Sequence, residues 1–168
     1  MSVNVGVLTI SDSCANGQAE DLSGPVLEEI ASAQGWEISA RGSVADEVSQ
    51  IEPIVRQWCD LKGIPLVLTT GGTGLGPRDV TPEAIRPLLE KELPGFGELM
   101  RQEGVKKTPL ASLSRSLAGT RRQSLIVSVP GSPKGARESL QAVLELIPHA
   151  LAILKGGGHA ARRPSPKP

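Results

Sequence analysis

Residues 66–81, LVLTTGGTGLGPRDVT, pass from a strand pattern through a glycine turn to a helix signal. Leu66 to Thr70 are apolar or β-branched and predict a buried strand. Gly71, Gly72, Gly74 and Gly76 make the turn, Arg78 and Asp79 follow, and Thr81-Pro82-Glu83 predicts a helix start with Thr81 as N-cap. In α/β proteins this succession builds an anion site: glycines let backbone N–H groups converge, and the next helix directs its positive dipole end there. Phosphate chemistry is the functional reading, with Asp79 positioned to hold a cation. The bland reading is a glycine turn that serves geometry alone, with Arg78 and Asp79 as a surface ion pair. Two standard phosphate motifs are absent, since no Lys-Ser/Thr closes the glycines and the spacing at 72–77 does not fit GxGxxG.

Outward from this stretch, strand patterns alternate with helix patterns. Val3 to Ile10 is a nearly continuous apolar run, followed by Ser11-Asp12-Ser13 at its carboxyl end. Ser11 and Asp12 are either pocket residues, as ligands bind outside strand ends in open α/β sheets, or the start of a turn or helix cap. A helix is predicted over 25–34, ended by Gly35, and a second strand over 36–44. Asp46-Glu47 then either binds metal or begins a helix. Ser49 to Glu52 has capping-box spacing, Pro53 is awkward beyond a first helical turn, and Ile54, Val55, Trp58 and Leu61 form the expected buried face. Further helices are predicted over 82–90, 95–103 and 110–117, a strand over 124–129, and closing helices over 136–146 and 148–154. Pro130 to Gly135 repeats the strand–turn–helix pattern and brings Ser132 and Lys134 to a second turn. The fold class is α/β with a mostly parallel sheet, and the polar clusters after its strands fall on one edge, where they can face one pocket.

The 168 residues suit one domain, over 1–155, with 156–168 reading as a flexible tail. Hydrophobic residues at 39% and charged residues at 21% indicate a soluble globular protein. Acidic and basic residues balance at 18 each, and the only aromatics are Trp36, Trp58 and Phe96, which argues against nucleic acid as a partner. No stretch approaches a membrane span and the N-terminus lacks a signal-peptide pattern, so a cytoplasmic location is expected. Cys14 and Cys59 have no zinc-site spacing and read as reduced thiols, while His149 and His159 are isolated.

Five blocks in order, LTISDS (8–13), TTGGTGLGPRDVTPEA (69–84), PGFGELMR (94–101), TPLASLSR (108–115) and PGSPKGARE (130–138), resemble the molybdenum-cofactor biosynthesis G-domain family. That family comprises the bacterial molybdopterin adenylyltransferases and the gephyrin-type G domains. The resemblance implies a three-layer α/β/α molybdopterin-binding domain assembled as a homotrimer. It implies transfer of AMP from Mg-ATP to the terminal phosphate of molybdopterin, with Mg²⁺ as cofactor and a downstream molybdenum insertase as a possible partner. By motif position, Asp46 and Asp79 are the catalytic acids and magnesium ligands. Gly71, Gly72, Thr73 and Gly74 bind phosphate, and Ser11, Asp12, Ser114, Ser132 and Lys134 line the ligand pocket. Ala45 stands where the family often has Pro before the first acid. The competing readings are a non-catalytic molybdopterin-binding or trimeric scaffold protein, and another nucleotide-processing enzyme on the same fold.

Overall fold

A computed structural model describes residues 2–157. The central sheet has six strands in the order β2-β1-β3-β6-β5-β4: β1 (Asn4–Ile10), β2 (Glu37–Val44), β3 (Leu66–Thr70), β4 (Lys91–Glu92), β5 (Leu117–Arg121) and β6 (Ser124–Val129). The first four in spatial order are parallel, and β5 and β4 add an antiparallel edge. The register sets Val7 between Arg41 and Leu68, with Leu68 opposite Val127.

Each buried strand feeds both faces, because side chains alternate along it. Val5 and Val7, Leu66 and Leu68, and Leu125, Val127 and Val129 face α2 (Ser23–Ala33), α5 (Pro94–Val105), α6 (Pro133–Val143) and α7 (Ile147–Leu154). Leu8, Ile10, Val67 and Ile126 face α3 (Val48–Asp60) and α4 (Thr81–Ile85). Three layers result, as the family resemblance implies. Gly6 lets the second layer approach: a Cβ there would lie 2.6 Å from the Trp58 ring.

Several local expectations differ. The helix expected over 110–117 is shorter: only Pro109–Leu113 turns helically, and the chain then extends into β5, an unexpected strand that starts at Leu117 and pairs with β6. β4 is two charged residues at the sheet edge and carries no strand pattern. The helix after the glycine loop is only Thr81–Ile85, continued by a tighter turn over Arg86–Leu88. Thr81 does not cap it; its hydroxyl donates to the Gly71 carbonyl at 2.8 Å. In α3, Glu47 holds the cap position without a side-chain capping bond, so Ser49 is inside the helix and the capping box does not form. Pro53 lies within α3, and Leu61 is 82% exposed while Ile51 takes its place in the core. Both cysteines are free thiols. His159 and residues 158–168 of the expected tail lie outside the described residues.

Candidate functional site

β1 lies between β2 and β3, and the chain leaves β1 and β3 toward opposite faces of the sheet, into α2 and α4. A crevice opens at such a switch point, beyond the carboxyl ends of the strands. Ser11, Asp12, Asp46, the loop from Gly71 to Asp79 and the turn from Pro130 to Ser132 all reach it.

The β1 and β2 ends are locked by a reciprocal pair: the Asp12 amide donates to Asp46 Oδ2 at 2.9 Å, and the Asp46 amide to Asp12 Oδ1 at 3.0 Å. Ser11 caps the short helix α1 (Asp12–Ala15) by accepting from the Cys14 amide, so the capping role holds at a residue that also lines the crevice. Arg78 does not pair with its neighbour Asp79. Its Nε and Nη2 grip both oxygens of Asp12 at 2.9 Å, and Nη2 lies 3.6 Å from Glu47. That guanidinium holds the Asp12 carboxyl below its ordinary pKa. Asp46 moves the other way: burial raises its pKa most, and the neighbouring carboxylates of Asp12 and Asp79 add to the rise.

The glycine loop is fastened at both ends. The Gly71 amide donates to the Val129 carbonyl at 3.1 Å, the Thr81 amide to Gly72 O at 3.0 Å, and the Gly76 amide to Asp79 Oδ2 at 2.7 Å. Arg115 spans the loop: Nε donates to Gly74 O at 2.9 Å, Nη2 to Asp79 O at 2.7 Å, and Nη1 pairs with Glu83. Between these fixings, among the described residues, the amides of Gly72, Thr73 and Gly74 donate to no protein acceptor. Three free consecutive N–H groups form the cradle that an anion requires. The Gly71 amide is already committed to Val129. Gly71 serves by shape instead: with φ +105°, a Cβ there would be driven into the Ile10 carbonyl. Gly72 has φ +64°, and its Cβ would lie 2.9 Å from Asp46 Oδ1 and press on the Thr81 hydroxyl. The five-residue α4 contributes a weak dipole, so the cradle rests on the loop amides.

Two cavities meet at this loop. One of about 350 Å³ is lined by Ser11, Asp46, Gly71, Gly72, Asp79 and Gly131. The other, about 550 Å³ and more apolar, is lined by Gly72, Thr73, Gly74, Asp79, Ser114 and Ser132, among others. Asp46 and Asp79 therefore face one space, and Asp79 borders both. Ser132 caps α6 by accepting from the Gly135 amide at 3.1 Å. Lys134 is exposed on the first turn of α6 and lines neither cavity; Asp12 supports Asp46 from outside the lining. Residue-level reading of the sequence did not single out Arg78 as the partner of Asp12, Arg115 as the loop's clamp, or Arg101, which lines the larger cavity. Their side chains act on positions far along the chain, and an isolated arginine has no local signature.

A doubly covered, mostly parallel sheet with acids and loop amides at its switch point defines an α/β domain with a candidate ligand site there. Residues 6–149 match the family model described as "Probable molybdopterin binding domain". The chain belongs to this molybdopterin-binding domain family. It is 44% identical over 162 residues to the molybdopterin adenylyltransferase of Helicobacter pylori, covering 92% of this chain and 89% of that protein. The crystal structure of the molybdopterin biosynthesis enzyme MoaB from Thermus thermophilus is similar at TM-score 0.87 and 49% identity, covering 92% of this chain and 97% of that one. A CinA protein of Thermoplasma acidophilum shares the fold alone, at TM-score 0.67 and 17% identity over 87% of this chain and 98% of that one.

Proposed function

We propose that this chain is a molybdopterin adenylyltransferase, transferring AMP from ATP to the terminal phosphate of molybdopterin in molybdenum cofactor biosynthesis. The observation that carries the reading is the pairing of Asp46 and Asp79 across one cavity, beside the free amides of Gly72, Thr73 and Gly74. Two cavities that adjoin at Asp79 suit a reaction of two substrates. The similarity to an adenylyltransferase over nearly the whole chain supports the same reaction.

A phosphate oxygen of the pterin attacks the α-phosphorus, the bond from that phosphorus to the bridging oxygen breaks, and pyrophosphate leaves with the electron pair. The attacking phosphate is already anionic near neutral pH, so no protein base has to remove a proton. The obstacle is the approach of two polyanions, which positioning and fixed dipoles overcome. The loop amides orient phosphate oxygens, Arg115 keeps that loop in place, and Asp12 holds Asp46 toward the cavity.

The donor set fits Mg²⁺. No group of three or more His, Cys, Asp or Glu residues among the described residues forms a ready metal cage. Asp46, whose pKa is raised by burial first and by the nearby carboxylates after that, and Asp79 would hold an ion that prefers carboxylate and phosphate oxygen. When bound, it would neutralise phosphate charge and favour departure of pyrophosphate. A homotrimer, a cytoplasmic setting, a domain over 1–155 and delivery of product to a molybdenum insertase complete the reading.

Incubation with molybdopterin, Mg²⁺ and ATP labelled at the α-phosphorus is expected to yield a labelled AMP adduct and pyrophosphate. Asp79→Asn should keep pterin binding and lose about 100-fold or more in turnover. Pterin binding without adduct formation by the wild type would instead establish a non-catalytic binding protein.

A further inference from the structure

Arg101, in the last turns of α5, is half-buried where two cavities adjoin: the one containing the free loop amides and a second of about 450 Å³ lined also by Ser112, Ser114 and Ser116. Every other described arginine forms an ion pair with Asp or Glu. Arg101 forms none among the described residues. Its Nη1 is anchored to the carbonyls of Ser114 at 3.3 Å and Ser116 at 3.1 Å. Nε and Nη2 donate to no acceptor among the described residues. Gly97 lets this turn of the helix approach both groups, because a Cβ there would stand 2.7 Å from the Ser116 carbonyl and 3.1 Å from Nη2.

A half-buried guanidinium without a counter-ion carries a desolvation cost that two carbonyls on one nitrogen only partly offset. The unused edge, Nε with Nη2, is the planar fork that takes two oxygens of a carboxylate or phosphate at once. Arg78 uses that same edge on Asp12. At Arg101 the edge has no protein partner, and the cavity it borders also holds the amides of Gly72, Thr73 and Gly74.

We propose that Arg101 is an anion receptor whose Nε/Nη2 edge binds a phosphate group of substrate in the cavity shared with the Gly72–Gly74 amides. This rests on the phosphate chemistry proposed above and adds a binding residue outside the acid pair and the glycine loop. The phosphate belongs either to the nucleotide or to the pterin, and binding measurements separate the two.

Calorimetric titrations with inorganic pyrophosphate, ATP and molybdopterin, each alone and in the presence of Mg²⁺, are compared between wild type, Arg101→Gln and Arg101→Lys. Arg101→Gln is expected to weaken pyrophosphate binding about 10-fold or more, with a smaller loss in Arg101→Lys, which keeps the charge without the fork. A parallel loss for ATP alone assigns the nucleotide phosphates, and for molybdopterin alone the pterin phosphate. Should Arg101→Gln fail to fold, the Arg101 Nε–Hε resonance of the wild type, identified by its absence from Arg101→Lys, is expected to shift on pyrophosphate addition. The proposal is overturned if Arg101→Gln binds all three ligands as the wild type does, or if that resonance does not move. Arg101-dependent binding in a protein that makes no AMP adduct would discard adenylyl transfer and leave the receptor standing.

Discussion

Folding disfavours the ionised form of Asp46 relative to the unfolded chain, and that sets a sign for its effect on stability. Its folded pKa is raised by burial first and by the carboxylates of Asp12 and Asp79 after that. The stabilisation it gives is therefore fully present below the unfolded value, about 3.9, and is lost as pH rises through the higher folded value. Asp46→Asn, which keeps an oxygen for the Asp12 amide, should raise the unfolding free energy at pH 7 by on the order of 1 kcal/mol or less after solvent screening, read as a higher urea midpoint. The gain should vanish toward pH 3, while AMP transfer is lost at every pH. An equal midpoint for both proteins across that range would mean that the carboxylate carries no strain. Asp12 has the opposite sign, since Arg78 lowers its pKa and their pair weakens as acid protonates it. Asp79 and the glycines were legible in the sequence because they lie within a few residues of one another. Arg78 and Asp12 are 66 residues apart, and Arg115 and Gly74 are 41 apart, so only the closed sheet brings them together.

Pro53 shows how packing overrides local preference in an element. A proline well inside a helix removes one backbone bond and crowds the preceding turn. Here α3 runs through it because Ile51, Val55, Trp58 and Cys59 bury one face against the sheet. Pro53 itself is exposed, so its side chain contributes little packing. Pro53→Ala should stabilise the protein by about 1–2 kcal/mol, the helix gain of up to about 3 being reduced by a more flexible unfolded chain. Chemical denaturation checks this, and a destabilised variant would mean that the ring holds α3 in a bend the core needs. The same balance explains which elements the sequence disclosed. β1, β3 and β6 are apolar runs buried on both faces and read directly. β5 contains Ala118, Gly119 and Thr120, has no strong strand pattern, and becomes a strand by pairing with β6. β4 is extended only because β5 lies beside it.

For the molecule as a whole, the switch-point crevice divides labour between a stable sheet and a charged rim. Buried strands supply the fold, while Asp46 and Asp79 remain close together with like charge, and the Gly72, Thr73 and Gly74 amides remain unpaired. Both features cost the empty protein stability, and both would be relieved by the occupant proposed above, a divalent cation with a phosphate chain. Ligand binding should therefore be visible as stability of the entire fold, independent of turnover. At a concentration 100-fold above its dissociation constant, a ligand that binds only the native state adds about 2.7 kcal/mol, which for a chain of this size raises Tm by roughly 5–10 °C. Mg-ATP should produce such a shift in the wild type. EDTA should remove most of it, because free ATP would bring charge toward two carboxylates with no cation to offset the repulsion. Asp79→Asn should respond little to Mg²⁺, whereas Pro53→Ala, remote from the crevice, should show the full increment on a higher baseline. A wild type stabilised equally by ATP with and without Mg²⁺ would remove the metal from the site. The loop amides would then be left as the main anchor for the phosphates.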